Sequence, residues 1–111
     1  MKFEVLEPSD PISVRVLRIH ELLRTHAPVS FGIVEVDGTD KPTIDTTSDT
    51  FDYVLEGSGT FEVAGREVPV RAGQLVCVPR NTEFTHSGKM KLLAVHQPGF
   101  NRDGIKVVDD G

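Results

Sequence analysis

The chain has 111 residues, of which 38% are hydrophobic and 26% charged, with a formal net charge of −5 at pH 7. A chain of this length forms one domain with a core large enough to fold without crosslinks, and its single cysteine excludes an intramolecular disulfide. The acidic balance, with scattered Lys and Arg, argues against nucleic acid or a membrane surface as a partner. Because no apolar run is long enough to span a bilayer and Met1–Pro8 lacks the apolar run of a secretory signal, we expect a cytoplasmic protein.

The first part of the chain, residues 1–28, is predicted to form an arm and a short helix. Phe3–Leu6 has the composition of a short strand. Arg18–Thr25 carries apolar residues at helical spacing and precedes Pro28, which favours a short helix that ends before the proline.

From residue 29 the sequence changes to short apolar segments separated by turn residues. The predicted strands are Val29–Val36, Phe51–Glu56, Thr60–Val63, Glu67–Val70, Leu75–Val78, Thr82–Thr85 and Lys89–His96. Within them, Thr60–Val70 has the pattern of a hairpin. Residues 99–111 form a tail with one further strand at Ile105–Val108. Many short strands at even spacing indicate an all-β sandwich or barrel over residues 29–98, but the pattern alone does not choose the topology.

Two stretches of the sequence carry glycine, proline and a few other residues at characteristic spacings. They are Gly38-x5-Ile44-x-Thr46-x3-Thr50-x6-Gly57 and Gly73-x5-Pro79-x-Asn81-x2-Phe84-x3-Gly88. Together, with their short gap, they resemble the two sequence motifs of the cupin superfamily. The resemblance implies a single-domain, small antiparallel jelly-roll barrel. The string Phe51–Gly57 also looks like the ethanolamine-utilisation type of cupin, which lacks the usual histidines.

The residues at the motif positions do not form the usual metal site. In metal-bearing cupins, the positions held here by Ile44, Thr46, Thr50 and Phe84 carry His, His, Glu and His. Isoleucine and phenylalanine have no donor atom, and a threonine hydroxyl is a poor ligand. We therefore expect no bound metal and no other cofactor. A metal-dependent enzyme with relocated ligands is the alternative, although side-chain alternation is expected to point Asp45 away from the interior.

The same alternation predicts which side chains line the barrel. The expected lining is Ile44, Thr46, Thr50, Asp52, Val54, Phe84 and His86. A mostly apolar interior with a few polar groups is typical of a small-molecule site. Asp52, a carboxylate in mid-strand, and His86 are the candidates for an acid–base couple. The alternative is that Asp52 faces solvent at a sheet end.

The leading interpretation is a metal-independent cupin that binds a small organic molecule. Its proposed chemistry is proton transfer by Asp52 and His86, as in the metal-free epimerases, isomerases and cyclases of the superfamily that the sequence resembles. A non-catalytic sensor or accessory barrel remains open. We also expect a homodimer in which the apolar arm Phe3–Leu6 and the tail strand Ile105–Val108 cover exposed sheet edges. A structural or solvent-facing role is expected for His96, and Cys77 is expected to be a small buried apolar residue.

Overall fold

A computed structural model describes residues 3–23 and 28–108 of the chain. In this part the secondary structure is almost entirely β. The strands are β1 Ile12–Val14, β2 Leu17–Leu23, β3 Ser30–Thr39, β4 Thr43–Asp45, β5 Asp49–Val63, β6 Arg66–Arg71, β7 Leu75–Val78, β8 Glu83–Gln97 and β9 Ile105–Val107. A single 3-10 turn, Arg102–Gly104, precedes β9. No helix among the described residues has the length and apolar character required to cross a membrane.

Two long strands, β5 and β8, organise the sheet. They pair antiparallel from Asp49↔Gln97 to Val63↔Phe84, and β8 also pairs along its length with β3. The first part of β5 pairs with β7, whereas its second part pairs with β6. The strands order as β1-β2-β3-β8-β4-β9, with β5, β6 and β7 attached through β8. The all-β, antiparallel jelly-roll architecture is thus confirmed.

Glycines allow β5 and β8 to approach where they change from one half of the sheet to the other. Gly59 lies opposite Gly88 in the ladder. A Cβ at Gly59 would lie 2.2 Å from the carbonyl oxygen of Ser87, and one at Gly88 would lie 2.7 Å from the Cα of Gly59. Gly88 also has φ of 120°, a conformation that residues with a Cβ rarely adopt. Any larger residue at these two positions would force the strands apart.

Alternation of side chains across these strands separates an apolar core from the outside. The buried core consists of Leu17, Val36, Val54, Phe61, Val70, Met90 and Leu92. Val54, Phe61 and Leu92 have no exposed surface, and each lies on β5 or β8. The core therefore sits against the central strand pair.

Two local predictions are wrong. Residues 17–23 form a strand, not a helix, since Leu17 and Ile19 pack on the core while β2 pairs with β3. A register shift between Glu21 and Leu23 interrupts the alternation, which explains why the apolar spacing resembled that of a helix. Arg24 and Thr25 of the predicted helix lie outside the described residues. Phe3–Leu6 forms no strand and is exposed.

The predicted strand in the tail is confirmed as Ile105–Val107. It pairs with β4, so it covers an edge of its own sheet. The predicted hairpin over Thr60–Val70 is confirmed by the pairing of β5 with β6. The segments predicted as separate strands at 51–56 and 60–63 form one continuous strand, as do those at 82–85 and 89–96.

Candidate functional site

Asp52 occupies the inner face of β5. It lies between the buried residues Thr50 and Val54, opposite Ala94 on β8 and Val76 on β7. Its side chain is 4% exposed and makes no hydrogen bond to another described residue. Burial raises the pKa of the Asp52 carboxyl to about 7, with no nearby positive charge to oppose the shift. The carboxyl group therefore exists in both protonation states near neutral pH.

His86 also faces inward, from the first half of β8. Its ring packs edge-on against Phe61 at 5.2 Å and Phe84 at 6.1 Å between ring centroids. Its Nδ1 atom is buried without a hydrogen-bond partner among the described residues. Burial lowers the pKa of His86, although the charge of Asp40 acts in the opposite direction. A neutral imidazole is therefore favoured at this position.

Asp52 and His86 are both internal, as predicted, but no hydrogen bond joins them in the described structure. Asp52 lies opposite Ala94, whereas His86 lies opposite Phe61, eight residues earlier on β8. The two groups therefore belong to different parts of the strand pair, on either side of the Gly59–Gly88 crossing.

The alternation predicted for β4 is wrong by one residue. Thr43 lies opposite Phe84, so Thr43, Asp45 and Phe84 share the inner face, while Ile44 lies opposite the exposed Glu83 and faces the other side. Asp45, expected to point away, is 4% exposed.

Thr46 follows β4 and does not line the interior through a free hydroxyl. Its Oγ donates a hydrogen bond of 2.7 Å to the carbonyl oxygen of Gly104, and its backbone N–H donates to the same oxygen at 2.9 Å. The side chain therefore fastens the segment before β9 to the end of β4.

Asp45 and His96 form a polar pair at the end of the barrel. Oδ1 of Asp45 accepts hydrogen bonds from the backbone N–H groups of Thr47 and Ser48 at 3.0 and 2.9 Å. Oδ2 is buried without a hydrogen-bond partner among the described residues and lies 3.9 Å from Nε2 of His96. Burial lowers the pKa of His96, and the charge of Asp45 opposes this shift.

Sequence reasoning missed this pair, although signals for both members were present. Asp45 precedes Thr47 and Ser48, and an aspartate followed by two small hydroxylated residues favours a turn in which the carboxylate accepts backbone N–H groups. His96 follows the buried residues Leu92 and Ala94 at intervals of two along β8. The alternation of side chains on a strand therefore predicts that His96 also points inward.

The structure does not assemble a metal site from the described residues. No group of three or more His, Cys, Asp or Glu side chains is arranged there to hold a metal ion. Ile44 faces away from the interior and Phe84 has no donor atom, so the motif positions do not fit the metal that the fold family commonly carries. The absence of a metal stays a prediction.

An apolar cleft of about 360 Å³ opens between β6 and β7. It is lined by Phe61, Val63, Val68, Pro69, Val70, Gln74, Leu75, Val76 and Cys77. Val76 lies opposite Asp52 and Phe61 lies opposite His86, so the cleft reaches the cross-strand neighbours of both groups. Cys77, expected to be buried, is exposed.

Residues 31–96, more than half of the chain, match the sequence profile of the family described as Cupin domain. The chain belongs to the cupin family. Its fold is also similar to that of Streptomyces PAC13 in a form solved with uridine, with 22% sequence identity and a TM-score of 0.89 over 98% of this chain and 92% of that one. Another PAC13 structure, described as that of a unique nucleoside dehydratase, has 23% identity and a TM-score of 0.88 over 97% of this cupin and 92% of that chain.

More distant cupin-fold structures share the barrel. KdgF from Halomonas sp. has 18% identity and a TM-score of 0.75, over 85% of this cupin and 89% of that chain. Oxalate decarboxylase from Lactobacillus farciminis has 14% identity and a TM-score of 0.78, over 90% of this cupin and 33% of that chain. No curated protein sequence matches this cupin. At these identities the solved structures establish the fold.

Proposed function

We propose that this cupin binds a small organic molecule inside its barrel, with Asp52 and His86 as the groups for proton transfer. The observation that carries the proposal is the Asp52 carboxyl, which is buried on the inner face and has no hydrogen-bond partner among the described residues. Burying such a group costs several kcal/mol unless something compensates it. A bound molecule that hydrogen-bonds Asp52 would supply this compensation.

The protonation states of the two groups suit acid–base chemistry. A carboxyl with a pKa of about 7 both donates and accepts a proton near neutral pH. A neutral imidazole at His86 accepts one, and its buried Nδ1 has no other partner in the described structure. No hydrogen bond of the described structure couples Asp52 to His86, so neither group satisfies the other.

A nucleoside is the ligand class we would test first. The cleft beside Val76 and Phe61 is apolar and suits the face of a planar ring, while Asp52 suits a hydroxyl or an imino group. Support for this choice comes from PAC13, solved with uridine and described as a nucleoside dehydratase. Loss of water requires the removal of one proton and the delivery of another, which is the chemistry that two uncoupled groups provide.

Titration of ¹⁵N-labelled protein with uridine, uracil and ribose, followed by amide NMR spectra, tests the proposal. We expect uridine to shift the amide signals of Asp52, Val76 and their cross-strand neighbours. Asp52→Asn should weaken uridine binding about tenfold, because a hydrogen bond to a charged group contributes about 1.5–3 kcal/mol.

The matched control for this titration is Asp49→Asn, which lies on β5 like Asp52 and removes a carboxylate that accepts hydrogen bonds from Arg80. This variant should bind uridine normally. Nucleoside binding is excluded if uridine shifts no inner-face signal, and the role of Asp52 is excluded if both variants bind equally well.

A second candidate function, a non-catalytic module that acts through a protein contact, is favoured by the outer face of the same sheet. We define this outer face as Leu23, Phe31, Ile33, Phe51, Tyr53, Leu55, Leu75, Cys77, Leu93 and Val95. Cross-strand pairing places all of these side by side on β2, β3, β8, β5 and β7 except Leu55, which lies at the register shift of β5. Leu75 is 55% exposed and Tyr53 40% exposed. Apolar patches of this kind mark interaction sites.

A second copy of this cupin is the partner we propose for the outer face. Five strands span about 20 Å, which is the scale of the centre of a standard interface. A two-fold axis brings the same patch onto itself, and a patch without charges meets no like charge in its copy. Charges further along these strands pair within the chain, as in Lys91–Glu56 at 4.0 Å and His20–Glu35 at 2.8 Å. Two copies would then pack sheet on sheet.

Light scattering with size-exclusion chromatography tests the dimer. We expect twice the chain mass of 12.2 kDa for the native protein and a single chain mass for Tyr53→Asp. Val107→Asp changes a residue that is also exposed, at 41%, but lies on β9 outside the outer face, so this control should remain a dimer. A native protein that elutes as a monomer at every concentration would rule out the dimer.

A further inference from the structure

We infer that Asp45 and His96 form an acid–base pair that serves the same interior as Asp52, with His96 exchanging a proton with the bound molecule and Asp45 as its positioning residue. The inference deepens the proposed function and rests on it for the existence of a ligand. The pair itself is defined by geometry in the unliganded chain, so it is testable without one.

The two oxygens of Asp45 have different roles. Oδ1 accepts the backbone N–H groups of Thr47 and Ser48, which fixes the carboxylate and forms the turn after β4. Oδ2 takes no part in this turn. It is buried without a hydrogen-bond partner among the described residues, and it faces Nε2 of His96 at 3.9 Å. An asparagine or a serine would be sufficient for the turn, so the free oxygen has no local structural role.

The surroundings of His96 hold the ring in place. In the ladder His96 lies between Ser30 on β3 and Thr50 on β5, which are both buried. Phe100 packs edge-on against the imidazole at 5.1 Å between ring centroids. The imidazole is therefore confined on three sides, with Asp45 near Nε2.

The carboxylate of Asp45 selects one form of the neutral imidazole. A carboxylate oxygen only accepts hydrogen bonds, so the favoured tautomer carries its proton on Nε2 and its lone pair on Nδ1. The separation of 3.9 Å is longer than a hydrogen bond, and a small side-chain movement or one bridging hydroxyl closes it.

The strand register makes His96 a near neighbour of Asp52. His96 lies opposite Thr50, and Asp52 is two residues further along the inner face of β5. Such diagonal neighbours are about 7–8 Å apart, which leaves room for part of a ligand between their side chains. By contrast, His86 lies beyond the Gly59–Gly88 crossing of the same strands.

This arrangement balances one proton removal against one proton delivery. The Nδ1 lone pair of His96 takes a proton from a C–H or O–H group of the ligand, and the electron pair of that bond stays on the ligand. The imidazolium that forms is stabilised by the negative charge of Asp45. Asp52 in its protonated form gives its proton to the ligand, and transfer of a proton from His96 to Asp52 restores both groups.

The test is to determine the tautomer of His96 by long-range ¹H–¹⁵N NMR at pH 7.5, with assignment from the signals lost in His96→Gln. We expect the native protein to show protonated Nε2 and unprotonated Nδ1. Asp45→Asn should invert this tautomer. The asparagine oxygen must still accept the two N–H groups of the turn, so its amide N–H₂ replaces Oδ2 and donates to Nε2, which moves the imidazole proton to Nδ1.

A matched control separates this effect from a general change in histidine signals. Glu35→Gln alters another histidine–carboxylate contact, that of His20 on the outside of the sheet, and should leave His96 unchanged. Protonated Nδ1 on His96 in the native protein overturns the inference even if Asp45→Asn does not fold, and so does an unchanged tautomer in folded Asp45→Asn. Uridine binding is measured separately, so a failed ligand proposal is distinguishable from a failed pair.

Discussion

The two faces of the sheet formed by β3, β8 and β5 each carry some side chains of the kind that ordinarily lies on the opposite face. The inner face, next to the core, buries Asp52 and Thr50 and partly buries His96, whereas the outer face exposes Phe31 and Tyr53. Both faces come from the same strands, because side chains alternate along them. Buried polar groups and exposed apolar groups both cost free energy in an isolated chain.

This comparison indicates two kinds of missing contact. A polar interior is stabilised by a molecule that hydrogen-bonds it, and an apolar exterior by a surface that removes it from water. The proposed ligand and the proposed second copy are therefore complementary, since each accounts for one face. Experiments that act on one face and leave the other unchanged test the comparison.

The largest effect is expected for Phe61→Ala on the inner face. Phe61 is fully buried on β5 and contacts His86, so its truncation leaves a cavity at the centre of the barrel. We expect the free energy of unfolding to fall by about 3–5 kcal/mol, measured by urea denaturation.

Tyr53→Ala is the matched aromatic change on the outer face of the same strand. Tyr53 is 40% exposed, and at concentrations where the chain is monomeric this change should cost less than about 1 kcal/mol. A cost that grows with protein concentration would be the signature of a second copy on the outer face. Equal costs in the monomer would contradict the distinction between the two faces.

Most of the barrel was predictable because its signals are local. Alternation on Phe51–Glu56 identified Thr50, Asp52 and Val54 as the inner side of β5, and the turn at Ala64-Gly65 identified the hairpin. The continuity of β5 through Gly57, Ser58 and Gly59 was not predictable, because a Gly-Ser-Gly segment ordinarily ends a strand. Here they permit close contact with β8 instead.

The site was predictable only in part, because its geometry depends on register. Asp52 and His86 are internal by alternation, but their separation along β8 follows from pairing that sequence spacing does not reveal. The error on β4 has a clear origin. The cupin motif was used to decide which side chains of β4 point inward. The pairing of Thr43 with Phe84 gives the opposite assignment, with Asp45 pointing inward. A three-residue strand carries too little alternation to correct such an assumption.

The next prediction concerns how the free energy of unfolding depends on pH, because that dependence reports the ionisation of Asp52 on the inner face. The folded-state pKa of Asp52 is raised from 3.8 to about 7, so between these values the folded chain retains a proton that the unfolded chain has lost. Stability contributed by the protonated group therefore decreases as the pH rises from 4 to 7 and stays low above it. At about 1.4 kcal/mol per pKa unit, the full loss is about 4 kcal/mol.

Asp52→Asn removes this dependence because the amide does not ionise. We expect the variant to gain stability relative to the native protein as the pH rises from 4 to 7.5, with a relative gain of up to about 4 kcal/mol, measured by urea denaturation across the series. Asp49→Asn is the control of opposite sign, since hydrogen bonds from Arg80 lower the pKa of Asp49 and stabilise the folded chain above pH 4. Parallel pH profiles for the native protein and Asp52→Asn would mean that Asp52 titrates as a solvated carboxyl. The inner face would then lose the feature that distinguishes it from the outer one, and the case for a ligand there would rest on His86 and His96 alone.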